Sequence, residues 1–220
     1  ALSHYAASFY KKIPVANPVL FYEAHNLGSI LSGQFSAEGW APDIFNVKSF
    51  KDDLKPFLEK GFAIVMEEQG DPVPAISFYV DASGDSAKAR AFIAQMSAAA
   101  PGGAETLNAS LKQEIVSVEN FKKSTTGRIL KVFPAEIPKE FGTVPLFDYL
   151  KNGVELSYGI TTDDILFFTT ARSAEDKLSR VSPITNLPLF KEFDALSPER
   201  NSFVFFGFSS FDLYLETIKA

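Results

Sequence analysis

Ile76, Phe78 and Val80 alternate with Ser77 and Tyr79, the period of two that a strand with one drier face produces. A second apolar run, Phe62 to Met66, precedes it across the polar stretch Glu67 to Pro74, so the pair predicts a hairpin. Val19-Leu20-Phe21-Tyr22 follows Pro18 and predicts a short buried strand. Two further strand patterns cover Glu114 to Val118 and Arg128 to Phe133. A second hairpin spans Val154 to Thr170 and turns at Thr162-Asp163-Asp164, and Phe203 to Phe208 is the last strand. Ile165–Phe168 and Phe203–Phe208 are apolar at consecutive positions, which predicts central strands covered on both faces.

Helical periods separate these runs. Asn26 is placed to cap a short helix carrying Leu27, Ile30 and Leu31. Ser49 and Asp52 form a capping box before Phe50, Leu54, Phe57 and Leu58, with Pro56 predicting a kink or a split into two short helices. Asp85 opens a helix to about Ala98 that buries Phe92, Ile93 and Met96. Pro101-Gly102-Gly103 then marks residues 98–104 as a flexible loop. Pro134, Pro138 and Pro145 keep the next section irregular around one helical turn at Leu146–Lys151. Ser173 and Asp176 form another capping box ahead of Leu178 and Val181. Asn186 and Pro188 start a helix with Leu189, Phe190 and Phe193 inward, and Phe211–Ile218 forms the last one. The expectation is one α+β module over residues 1–220: a mostly antiparallel, curved sheet with helices packed largely on one face.

The two ends of the chain echo each other. Without a gap, Pro14, Asn17, Phe21 and Leu31 align with Pro198, Asn201, Phe205 and Leu215. Phe9 pairs with Phe193, and the shared order is helix, proline turn, buried strand, short helix. A weaker echo relates Gly61–Met96 to Gly153–Val181, each reading glycine, strand, turn, strand, capped helix. Together they suggest an internal strand-helix repeat, with one complete unit and the start of a second.

Composition narrows the function classes. The 220 residues carry 46% hydrophobic and 22% charged side chains, enough apolar surface to offset the entropy of ordering a chain. Phenylalanine is the outlier, with 22 residues falling mainly inside strand-like runs, where they read as core packing. A net charge of −6, with basic clusters no longer than Lys11-Lys12 and Lys122-Lys123, supplies no positive stripe for nucleic acid. With no cysteine, disulfides, thiolate catalysis and cysteine-ligated zinc are impossible. No apolar run has the length of a transmembrane helix. The start at Ala1 fits removal of a signal or anchor and fits trimming equally well.

Reactive constellations are sparse. His4 and His25 are the two histidines; His25 ends the first strand, and its counterpart in the repeat alignment is Ser209. Gly207-Phe208-Ser209-Ser210-Phe211 approaches a nucleophile elbow but has Phe211 where the tight turn needs glycine. Phosphate-cradling glycine loops and two-histidine zinc helices are missing from the sequence. Asp52-Asp53, Glu67-Glu68 and Asp163-Asp164 read as solvated charges at caps and hairpin tips. Asp81-Ala82-Ser83-Gly84-Asp85 lacks the alternating oxygen ligands and distal glutamate of a calcium loop and reads as a capping turn. Trp40, in the Gly/Pro-containing stretch Gly33–Val47, plugs a core edge or contacts a partner, and His25 is the other partner-contact candidate. No catalytic, cofactor-binding or metal-ligating residue is assigned.

Ser182 to Leu215, the segment Ile165–Thr170 (ILFFTT), the helix start Asn186-Leu187-Pro188-Leu189-Phe190 and the strand-helix junction Pro74–Met96 carry a resemblance. The chain resembles an uncharacterised bacterial family of repeated α/β modules found outside the cytoplasm behind a signal or membrane anchor. The resemblance covers roughly two-thirds of the chain through packing motifs, and Gly33–Val47 has no counterpart in it. It implies an extracytoplasmic location and a repeated α+β fold, and brings no catalytic residues with it.

The function expected is therefore a non-enzymatic cell-envelope module that scaffolds or binds another envelope protein, recognised by an exposed apolar patch or sheet edge. One alternative is a carrier or sensor for a hydrophobic ligand, which needs a dry cavity between sheet and helices. Another is a hydrolase with an unfamiliar site using His25, Ser209 or Asp163.

Overall fold

The structure, a computed structural model, describes residues 9–15, 18–24, 50–69, 73–111, 116–121, 126–132, 153–179, 191 and 202–206. Eight strands form one antiparallel sheet: β1 (Pro18–Ala24), β2 (Phe62–Glu67), β3 (Ala75–Asp81), β4 (Val116–Asn120), β5 (Thr126–Val132), β6 (Val154–Ile160), β7 (Ile165–Thr169) and β8 (Ser202–Phe206). Among the described residues three α-helices join them: α1 (Phe50–Lys60), α2 (Ser86–Leu111) and α3 (Ala174–Ser179). A 3-10 turn covers Tyr10–Lys12. The α+β class and the antiparallel pairing are as the periodicity predicts. The expected elements at Asn26, Leu146–Lys151 and Phe211–Ile218 lie outside the described residues, as does that at Asn186–Phe193 apart from Lys191.

The strand order is β4-β5-β6-β7-β3-β2-β1-β8. It reads alike in both directions from the central β3–β7 pair: first the hairpin partner (β2 or β6), then the strand before that hairpin (β1 or β5). The end strand on each side comes from the other set of four consecutive strands, β4 from β1–β4 and β8 from β5–β8. After β3, α2 carries the chain over β7, β6 and β5 to β4, packing on β6 and β4. Twenty-six residues make a helix about 39 Å long, ample for a crossing of about 19 Å.

Both faces of the central strands are covered. On one face, Leu54 and Phe57 of α1 and Ala89, Phe92, Ile93, Met96, Ala100 and Ala104 of α2 pack against Phe62, Val80, Tyr158, Ile160 and Leu166. On the other, Phe9, Ile13 and Val15 and Leu178 of α3 cover Phe21, Ala63, Val65, Tyr79, Ile165 and Phe167. The long helices thus share one face, and the short one sits on the other. An aromatic chain runs across the first face, with ring centroids 5.9 Å apart for Tyr22–Phe62, 5.5 Å for Phe62–Phe78 and 6.4 Å for Phe78–Phe168.

Three expectations are corrected. Residues 98–104 are not a flexible loop; they are the middle of α2. Ala100 and Ala104 are buried against the sheet, and small side chains there let the helix approach closely, so packing outweighs the helix-breaking tendency of Pro101 and its glycines. Nor is α1 split in two at Pro56: it continues to Lys60 as one helix. The last strand is not central: β8 is the end strand of the described sheet. An apolar run reports where side chains go, and it does not encode how many neighbours a strand's backbone has. Phe21 and Phe205, matched in the end-to-end alignment, are cross-strand partners of the β1–β8 ladder, with β1 flanked on both sides and β8 on one.

The continuous α2 makes a clear forecast. A Cβ at exposed Gly102 meets nothing within 4 Å. Gly102→Ala should therefore raise stability by about 0.5–1 kcal/mol through the lower backbone entropy cost of alanine in a helix. Urea unfolding with an unchanged slope is the measurement, and a loop at this position would give no gain of that kind.

Candidate functional site

One buried polar constellation stands out, on the face covered by α3. Alternation along β2 puts Glu67 on the same face as Ala63 and Val65, and Glu67 is only 3% exposed. The α3 backbone starts from Ser173, whose carbonyl accepts from Asp176 N at 2.9 Å and Lys177 N at 3.1 Å. Ser173 itself has φ 54°, in the left-handed region that disfavours a side chain. That turn aims α3 at the sheet, burying Leu178 and directing Lys177 onto Glu67. The Lys177 ammonium donates to the Glu67 carboxylate and, at 3.2 Å, to the Ser77 hydroxyl. Ser77 Oγ and Thr169 Oγ1 are 2.7 Å apart, and Thr169 Oγ1 also accepts from Ala171 N at 3.1 Å. Ser157 sits opposite Thr169 on β6, and Tyr79 lies two residues beyond Ser77 on the same face.

Burial sets the electrostatics. Removal from water pushes the Lys177 ammonium down from 10.5 to about 8. The carboxylate contact acts the other way, but Glu67 is itself taken out of water, so desolvation of the pair dominates. Burial also holds the Tyr79 phenol well above its ordinary value, with the neighbouring Ser77 hydroxyl acting weakly in the opposite sense. A lysine beside a serine is the chemistry of a Ser–Lys nucleophile. Here Ser77 is fully buried in the middle of a strand with neighbours on both sides, so no substrate carbonyl can reach its oxygen. The arrangement pins α3 to the sheet.

Sequence reasoning missed this cluster and misplaced one member. Glu67 was expected at a solvated hairpin tip; it is instead the last, inward-facing residue of β2. The extended period of two over Ala63, Val65 and Glu67 was the available signal, while Lys177 carries no mark that separates it from a surface lysine. Trp40, His25, His4 and Ser209 lie outside the described residues. Asp163 is exposed in the β6–β7 turn, where its carbonyl accepts from Lys12 Nζ at 3.5 Å. Asp164 accepts from Arg90 at 3.3 Å. In the Asp81–Asp85 turn, Asp81 Oδ1 accepts from Ser83 N at 2.9 Å, and the Asp85 carboxylate meets Lys60 and Lys88. These two cations hold the Asp85 carboxyl below its usual range, Lys60 most strongly. Lys60 also donates to Ser83 O at 2.8 Å, tying the end of α1 to the turn before α2. Among the described residues no group of acidic or histidine side chains is arranged to hold a metal ion.

In comparisons with known proteins the chain matches no family model, no curated protein and no solved structure.

The Lys177–Glu67 pair generates two predictions. Lys177→Met removes the ammonium that faces the buried Glu67 carboxylate and should cost about 3–5 kcal/mol, whereas Glu67→Leu with Lys177→Met together should be near neutral or stabilising. A double-mutant cycle in chemical denaturation measures both. As to pH, the unfolded chain keeps its lysine proton to 10.5 while folded Lys177 releases it near 8. Between those values the unfolded state binds more protons, so stability relative to the double variant should rise with pH. Paired denaturation curves across that window read the sign directly.

Proposed function

We propose that the chain is a non-catalytic module of the cell envelope that binds another envelope protein through an apolar row on its sheet. The observation that carries this reading is Ile76, which is 47% exposed, the one exposed large hydrophobic side chain among the described residues. It lies in a line across the sheet: Leu20 is paired with Met66 and Met66 with Ile76, and Thr170 N donates to Ile76 O on the far side. Leu20, Met66, Leu156 and Val118 are half-buried on the same face. Such a row, uncovered at its centre and bordered by partly buried apolar groups, suits a partner that contributes apolar side chains. The non-enzymatic part is supported by the Lys177–Glu67–Ser77 cluster, whose reactive groups are spent on one another inside the fold. The extracytoplasmic location rests on the resemblance carried by Ile165–Thr170 and Ser182–Leu215.

We further infer that the internal repeat relates the two halves of the sheet rather than the two ends of the chain. Support comes from the palindromic strand order and from matched lengths: β1 and β5 each have seven residues, β4 and β8 each five. The weaker of the two sequence echoes, Gly61–Met96 with Gly153–Val181, follows this relation. The ligand-carrier alternative is less favoured, because the Tyr22–Phe62–Phe78–Phe168 ring contacts argue for aromatic side chains that fill the interior.

A photoreactive residue in place of Met66, in the native host, should give one discrete cross-linked protein. Ile76→Lys should lower its yield by about tenfold, as expected for a central contact worth more than 1 kcal/mol. Equal, diffuse labelling from position 66 and from exposed Ala94 on α2 would sink the binding role.

A further inference from the structure

The buried hydroxyls beneath α3 do not balance among themselves. Ser77, Thr169, Ser157 and Tyr79 each bring one O–H donor to the same face of three adjacent strands. One of those donors is used between Ser77 and Thr169. The other contacts to that pair, from Lys177 Nζ and Ala171 N, bring in further donors and no acceptor. Ser157 Oγ and Tyr79 Oη are buried and have no hydrogen-bond partner. The Ser157 and Tyr79 hydroxyl hydrogens therefore have no acceptor. No backbone carbonyl accepts from either hydroxyl.

We propose that this face holds a bound water molecule, isolated from bulk solvent, between the Ser157 hydroxyl, the Ser77–Thr169 pair and the Tyr79 phenol. The geometry supplies what such a site needs. A buried water needs two to four polar partners, and the register brings them to neighbouring positions on one face: Ser157 is the direct cross-strand neighbour of Thr169, and Tyr79 follows Ser77 by two residues. Gly159, next on β6 along this face and opposite Phe167, brings no side chain to the spot. A water oxygen accepts the Ser157 and Tyr79 hydrogens, and one of its own hydrogens returns to the lone pair that the Ser77–Thr169 pair keeps free. An acidic ligand would suit the donors but would face the Glu67 carboxylate; a water molecule is neutral to it. The site does not depend on the binding role proposed above.

Oxygen-17 magnetic relaxation dispersion of the whole chain tests this. The wild type should show a water with a residence time far longer than surface hydration. Ser157→Ala and Tyr79→Phe should each lose that contribution, and Ser157→Thr, which keeps the hydroxyl, should retain it. Amide spectra confirm that each variant stays folded, and Tyr79→Phe carries the test if Ser157→Ala does not. A wild-type profile without a long-lived water, or one that both deletions leave unchanged, overturns the proposal. So does a co-purified small molecule that native mass spectrometry finds in the wild type and not in Ser157→Ala.

Discussion

The antiparallel pairing of β3 with β7 joins the two halves of the sheet, and the other contacts are arranged around it. Residues 77–81 meet 165–169 across nearly ninety positions of chain, so the ladder forms only after a long loop has closed. What offsets that cost is burial on both faces at once. Tyr79 and Phe167 are cross-strand partners sealed under the N-terminal segment and Leu178, and Val80 and Leu166 are partners sealed under α1 and α2. The turn after β3 and the β6–β7 hairpin turn add a direct tie, since Ala82 N donates to Asp164 O at 3.0 Å.

The crossover after each central strand extends this logic to the sheet's ends. Because α2 runs from β3 to β4, the first half of the chain supplies the end strand of the second half; β8 repays the exchange at the opposite end. Each half is therefore incomplete without the other, which makes one cooperative unit the natural outcome of the topology. The charged contacts serve the same end. Lys60 fastens α1 to the turn that launches α2, and Lys177 fastens α3 to β2 and β3. The first is partly exposed and inexpensive. The second is buried, and its desolvation makes it a specifying contact rather than a stabilising one.

A fold so occupied with closing its own interior leaves function to its surface. Ile76 matters for that reason: a large apolar residue at the edge of a well-covered face is an exception to the pattern around it. The buried polar row is the complementary exception, polar where its surroundings are apolar. Hydroxyls placed in a dry interior need partners, and on this face the Ser157 and Tyr79 hydroxyls have none among the described residues.

The sequence by itself determined the local elements. The alternation over 75–80, the apolar run 62–66, the hairpin around Thr162–Asp164 and the helix after Ser173 were all legible, because side-chain period and turn chemistry act over a few residues. Tertiary structure alone decided what depends on distant neighbours. Pro101-Gly102-Gly103 has the composition of a loop, and only the sheet beneath Ala100 and Ala104 holds it helical. Phe203–Phe206 has the look of a central strand, and only the strand order places it at the end. Glu67 and Lys177, 110 residues apart, are ordinary charged residues until the fold buries them together. Propensity is a short-range energy of tenths of a kcal/mol per residue, and burial against remote partners is larger; where the two disagree, the chain follows the second.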